Sequence, residues 1–149
     1  MADRSTLTSH HPADRWAMLV WATRDLSYDP RTLADWARAV DMSVPTLRAR
    51  CYVAGVSPRA SLRLTRLFRA FRLASLEGAC PGDLLDVKEP RTARRLLSMV
   101  TVTGIDPAMS VDSFLMVQSV VTAQQPLRSL RRLALGDRHP AILSSRAFG

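Results

Sequence analysis

Three points in the first half of the chain pair a helix-capping side chain with a nearby proline: Asp29-Pro30, Ser43 with Pro45, and Ser57-Pro58. Proline offers no amide hydrogen to a sheet ladder but fits the first turn of a helix, where that hydrogen has no partner anyway. Aspartate and serine accept hydrogen bonds from the other free amides of that turn. The region is therefore held to short helices with sharp starts.

The apolar residues between these points agree. "PRTLADWARAV" places Leu33, Trp36, Ala37 and Val40 on one helical face. "DMS" reads as a tight turn, and the helix capped by Ser43 has Leu47 and Cys51 as its inward pair. Gly55 is the C-cap candidate. Ser57 caps a helix over 58–76, the longest expected, in which Leu64, Leu67, Phe68 and Phe71 converge on one side. Upstream, "PADRWAMLVWATRDL" sets Trp16, Leu19 and Val20 at i, i+3 and i+4.

Downstream of the loop "EGACPG" come a short "DLLDV" and then "EPRTARRLLSMVTVTG", helical at least in its first half. The turn "IDPAM", the apolar helix "SVDSFLMVQSVVTA" and a short last helix "PLRSLRRLAL" follow, leading into the tail "GDRHPAILSSRAFG". Only "MVTVTGI" is ambiguous with a strand. The fold class is all-α.

Charge is distributed less evenly than the helices. The 149 residues carry 21 basic and 13 acidic side chains, for a net charge of +8, and Lys88 is the single lysine. From Ser43 to Arg72 there are seven arginines and no acid. A basic domain of this size suits nucleic acid, an anionic surface or an acidic protein. On the helix over 58–76, Arg59, Arg63, Arg66 and Arg69 are expected on the outer face, away from the apolar one.

"TLADWARAVDMSVPTLRARC" has the organisation of a helix-turn-helix: a small residue, Ala37, where two helices cross, a tight turn, and a second helix anchored by Leu47. The stretch from Leu33 to Ala70 resembles the first DNA-binding subdomain of the AraC/XylS family of bacterial transcription regulators. Leu33, Ala37, Ser43, Leu47, Gly55, Ser57, Pro58, Leu62, Arg66, Leu67 and Ala70 carry the resemblance in register. Departures fall at Asp41, where the family has a turn glycine, at Ala49, where an arginine is common, and at Cys51, where a core phenylalanine is usual.

The resemblance implies sequence-specific binding of double-stranded DNA and a role in transcription regulation. It assigns Ser43, Pro45, Thr46, Arg48, Ala49 and Arg50 to a recognition helix in the major groove, with Val53 on the same outward arc. Thr46 would meet a base edge or phosphate, Pro45 and Ala49 a thymine methyl, and Arg48 and Arg50 guanine or phosphate. Arg59, Arg63, Arg66 and Arg69 on the linker helix would meet the DNA backbone. The expected organisation is a disordered N-terminus over 1–11, an AraC-like helix-turn-helix subdomain over 12–57, a linker helix over 58–76, a second, degenerate helical subdomain over 77–136, and a tail over 137–149.

In one register of that second half, 92–107 repeats 43–58. In another, Gly104-Ile105-Asp106 is the turn and "PAMSVDSFLMVQ" the second helix. "FLMVQSVV" reads either as core or as a dimerisation surface. Arg91, Arg94 and Arg95, then Arg128, Arg131 and Arg132, form two smaller basic clusters.

With about 30 residues before the motif, the family's separate ligand-binding domain is not expected, and effector control falls to a partner or to abundance. A homodimer, RNA polymerase or a neighbouring regulator would supply further contacts. The alternative is an AraC-like fold repurposed to dock an acidic protein without reading DNA. RNA is disfavoured by the lack of an aromatic cluster for stacking bases.

No motif for an enzyme is found: there is no G-x-S-x-G, Walker loop or G-x-G-x-x-G. His10, His11 and His139 lie near the ends, so no catalytic, cofactor or metal site is expected. Cys51 and Cys80 read as reduced structural thiols. The N-terminus lacks the apolar core of a signal peptide and no run reaches a membrane span, so a cytoplasmic location is expected.

Overall fold

The computed structural model describes residues 11–86, 91, 95 and 109–148, with side chains as far as Gly136. Among the described residues the chain is all-helical, with no strand. Its elements are α1 (Pro12–Trp21), α2 (Leu33–Ala39), α3 (Val44–Val53), α4 (Pro58–Glu77), a 3₁₀ turn (Pro81–Leu84), α5 (Val111–Val117) and α6 (Gln124–Phe148). No described helix is long and apolar enough to cross a membrane.

Each start is made by a side chain. Ser43 Oγ accepts from Thr46 N at 3.2 Å, and Ser57 Oγ accepts from Ala60 N at 3.1 Å, as the sequence predicts. Asp29 does not cap α2. That role belongs to Thr32, which accepts from Asp35 N while the Asp35 carboxylate accepts from Thr32 N. This reciprocal capping box satisfies two free donors at once, which a lone Asp29 three residues earlier cannot do. His11, expected in a frayed terminus, accepts from Ala13 N through Nδ1 and caps α1. Residues 1–10 lie outside the described residues.

The ends of α2 and α3 are alike. Met42 N donates to Ala37 O and Asp41 N to Arg38 O; Val56 N donates to Cys51 O and Gly55 N to Tyr52 O. Both closures need a left-handed residue after the cap, met by Asp41 (φ 55°) and Gly55 (φ 83°). Gly78 (φ 70°) ends α4.

One hydrophobic cluster runs from Trp16 to Leu130. α4 threads it with Leu64, Leu67, Phe68 and Phe71, all fully buried, and Trp36, Ala37, Leu47 and Cys51 seat α2 and α3 against it. Phe71 stacks on Phe114 of α5 with ring centroids 4.7 Å apart. The two buried indoles are satisfied: Trp16 Nε1 donates to Ser61 Oγ at 2.9 Å, and Trp36 Nε1 to Leu19 O at 3.0 Å. α1 packs along α6, where Ser129 Oγ donates to Asp14 Oδ1 at 2.7 Å.

"DLLDV" contributes to a 3₁₀ turn. The described C-terminal half departs from expectation in two places. α5 is only seven residues long, and the apolar run "FLMVQSVV" is divided: Phe114, Leu115 and Val121 are buried, while Met116 and Val117 are exposed. The last helix is not short. It continues through Gly136 and Pro140 to Phe148, making α6 rather than α4 the longest described helix. A single glycine costs a helix only about 1 kcal/mol, so Gly136 does not stop one. The 92–107 register, Gly104–Asp106, Arg94 and "MVTVTGI" lie outside the described residues.

Candidate nucleic-acid interface

α3 is held by two residues and displays the rest. Leu47 and Cys51 are fully buried, whereas Pro45, Thr46, Arg48 and Ala49 are exposed and Arg50 is half-buried. Ser43 is exposed but committed to its cap, and it also donates to Thr46 Oγ1 at 2.8 Å. Tyr52 and Val53, at 66% and 67% exposure, extend the same surface toward the helix end. Tyr52 was passed over in the sequence, although counting 100° per residue places it beside Pro45.

Burial pushes the Cys51 thiol up from its ordinary value, and a hydrogen bond with Ser61 opposes that shift. Cys51 is thus a small protonated plug beneath the exposed face. Cys80 is free and exposed.

The four arginines expected on the backbone-facing side of α4 do not stay together. Arg59 is exposed and Arg63 half-buried, and neither makes an ion pair among the described residues. Arg66 and Arg69 are turned inward, correcting the expectation that they meet DNA. Arg66 grips Asp29 through the Nε–Nη2 edge of its guanidinium: Nε lies 3.0 and 3.1 Å from the carboxylate oxygens and Nη2 2.7 Å from Oδ2. Asp86 N also donates to Asp29 Oδ2, at 2.8 Å. Arg69 is 4% exposed and donates to Leu26 O at 2.9 Å and to Leu84 O at 3.0 Å.

Burial lowers the Arg69 pKa, opposed by the charges of Asp29 and Glu77. It remains a cation holding two loop carbonyls. Arg72 continues the row, 3.4 Å from Asp25 and over the Trp21 ring.

The cause lies outside the helix. At about 100° per residue Arg66 and Arg69 stand roughly opposite the stripe of Leu64, Leu67, Phe68 and Phe71, on the side the sequence assigns to solvent. There the chain around Leu26–Asp29 and the 3₁₀ turn cover them.

Elsewhere, Arg91, Arg95, Arg128 and Arg132 are exposed and Arg131 is half-buried. Among the described residues, no group of three or more His, Cys, Asp or Glu side chains is placed to hold a metal. A cleft of about 210 Å³ lies between α1, α4, α5 and α6, lined by Trp21, Arg72, Ser75, Leu76, Val111, Asp112 and Ala134.

Comparison with family models, with curated proteins and with solved structures finds no match to this chain.

Proposed function

We propose that the chain is a sequence-specific DNA-binding protein acting in transcription regulation, with α2 and α3 as its helix-turn-helix and α3 as the reading element. The observation that carries this reading is α3 itself: an acid-free helix, anchored by two buried residues, whose whole outer arc is uncovered. The small Ala37 at the contact with α3 and the left-handed Asp41 turn suit a steep helix crossing. Arg59 and Arg63 lie just beyond on α4, open to phosphate.

With one reading helix, useful affinity calls for a second protomer, RNA polymerase or a neighbouring regulator, because a single module buries a small interface. A second reading, docking of an acidic protein without DNA, is favoured by the inward turn of Arg66 and Arg69, which halves the phosphate-facing set on α4.

Fluorescence anisotropy on duplex fragments at several salt concentrations separates the two. Sequence-selective binding weakened by Arg48→Ala supports DNA reading. Absence of duplex binding at low salt, with retained binding to an acidic protein, supports docking.

A further inference from the structure

The exposed arc of α3 is not uniformly cationic. At about 100° per residue, Ala49 stands opposite the midpoint between the buried Leu47 and Cys51, at the centre of the exposed arc. Pro45, Thr46, Tyr52 and Val53 surround it, and the Thr46 hydroxyl is engaged by that of Ser43, so the centre is largely apolar. Arg48 and Arg50 stand about 100° to either side of Ala49. No acid lies anywhere on the helix.

Laid in a major groove, such a helix sends its two edges to the two phosphate walls and its centre to the base edges. Guanine, cytosine and adenine offer the groove only hydrogen-bonding groups; thymine alone offers a methyl. Polar base edges pressed against alanine and proline lose their water without gaining a partner, which is unfavourable. A thymine methyl against the same surface loses nothing and leaves water.

We propose that α3 selects DNA by contacts from Pro45 and Ala49, extended by Tyr52 and Val53, to thymine methyl groups, and that Arg48 and Arg50 straddle the groove to hold phosphates instead of reading guanine. Pro45 to Val53 spans about 12 Å, three to four base-pair steps of about 3.4 Å. The occupant is a short thymine-bearing tract of duplex DNA. The flanking positive charge, free of acids, is complementary to its backbone. The inference rests on the DNA-binding reading of the same helix.

The test selects bound sequences from a randomised duplex pool with the full chain, then measures anisotropy on the selected site with each thymine replaced in turn by deoxyuridine, which lacks only the methyl. The expected result is a site with thymine at two or more adjoining positions, and a loss of about fourfold in affinity for each contacted methyl removed. Arg48→Ala is expected to weaken selected and random duplexes by the same factor. Ala49→Ser, an exposed and nearly isosteric change, is expected to shrink the thymine-to-uracil ratio with the circular dichroism spectrum unchanged. Selected sites dominated by guanine whose preference vanishes in Arg48→Ala, or indifference to uracil at every position, overturn the inference while leaving DNA reading intact. Failure to bind any duplex at low salt overturns both.

Discussion

Replacing Asp29 by alanine tests the corrected role of Arg66 directly. The Asp29 side chain is 1% exposed and that of Arg66 12%, with 2.7 Å between Oδ2 and Nη2. Removing the carboxylate leaves a guanidinium without its partner in a largely dry site and frees the Asp86 amide that it also accepts from. Breaking a buried pair from one side costs about 3–5 kcal/mol, a large share of the roughly 5–15 kcal/mol that holds a domain together. For a chain of this size, that lowers the melting temperature by about 10 °C.

Urea denaturation followed at 222 nm measures the loss. Burial makes it nearly independent of salt. The double variant Asp29→Ala/Arg66→Met is expected to be more stable than the two single changes sum to, by about 1–3 kcal/mol. A cost for Asp29→Ala below about 1 kcal/mol, the value for an exposed pair, refutes the reasoning and returns Arg66 to the surface.

Arg59→Ala and Arg63→Ala are each expected to reduce the slope of log affinity against log salt by about 0.9, measured by anisotropy on duplex DNA. Arg69→Met is expected to lower stability and leave that slope unchanged. In thiol titration with a disulfide reagent, Cys80 reacts at once. Cys51, fully buried and with its thiol pushed up by desolvation, reacts only as fast as the chain opens. Gly55→Ala is expected to destabilise by about 1–2 kcal/mol in chemical denaturation, although no atom lies within 4 Å of the added methyl, because the strain is in the φ of +83°. Ser43→Ala removes the α3 cap and is expected to cost about 1 kcal/mol.

The starts and stops of α3 and α4 were legible because they are local. A serine, a nearby proline and a closing glycine act on their own turn of helix, and their effect hardly depends on what packs above. The same holds for the inward stripes: Leu47 with Cys51, and Leu64 through Phe71, follow from helical spacing and the removal of apolar surface from water. All-α architecture, the tight turn at Asp41 and the exposed arc of α3 were therefore written in the chain.

What the tertiary structure decided is where polar side chains find partners. Asp29 beside Pro30 reads as a cap, but the fold brings Arg66 against it from 37 residues away. Arg66 and Arg69 read as outer face, opposite the apolar stripe, but the fold lays over that side loops whose position no local signal records. Arg69 is held inward by the carbonyls of Leu26 and Leu84, which accept from its guanidinium across 43 and 15 residues of chain. Local chemistry sets the helices and their oily faces. The pairing of charge with charge across the chain, and so which arginines remain for a partner, belongs to the packing alone.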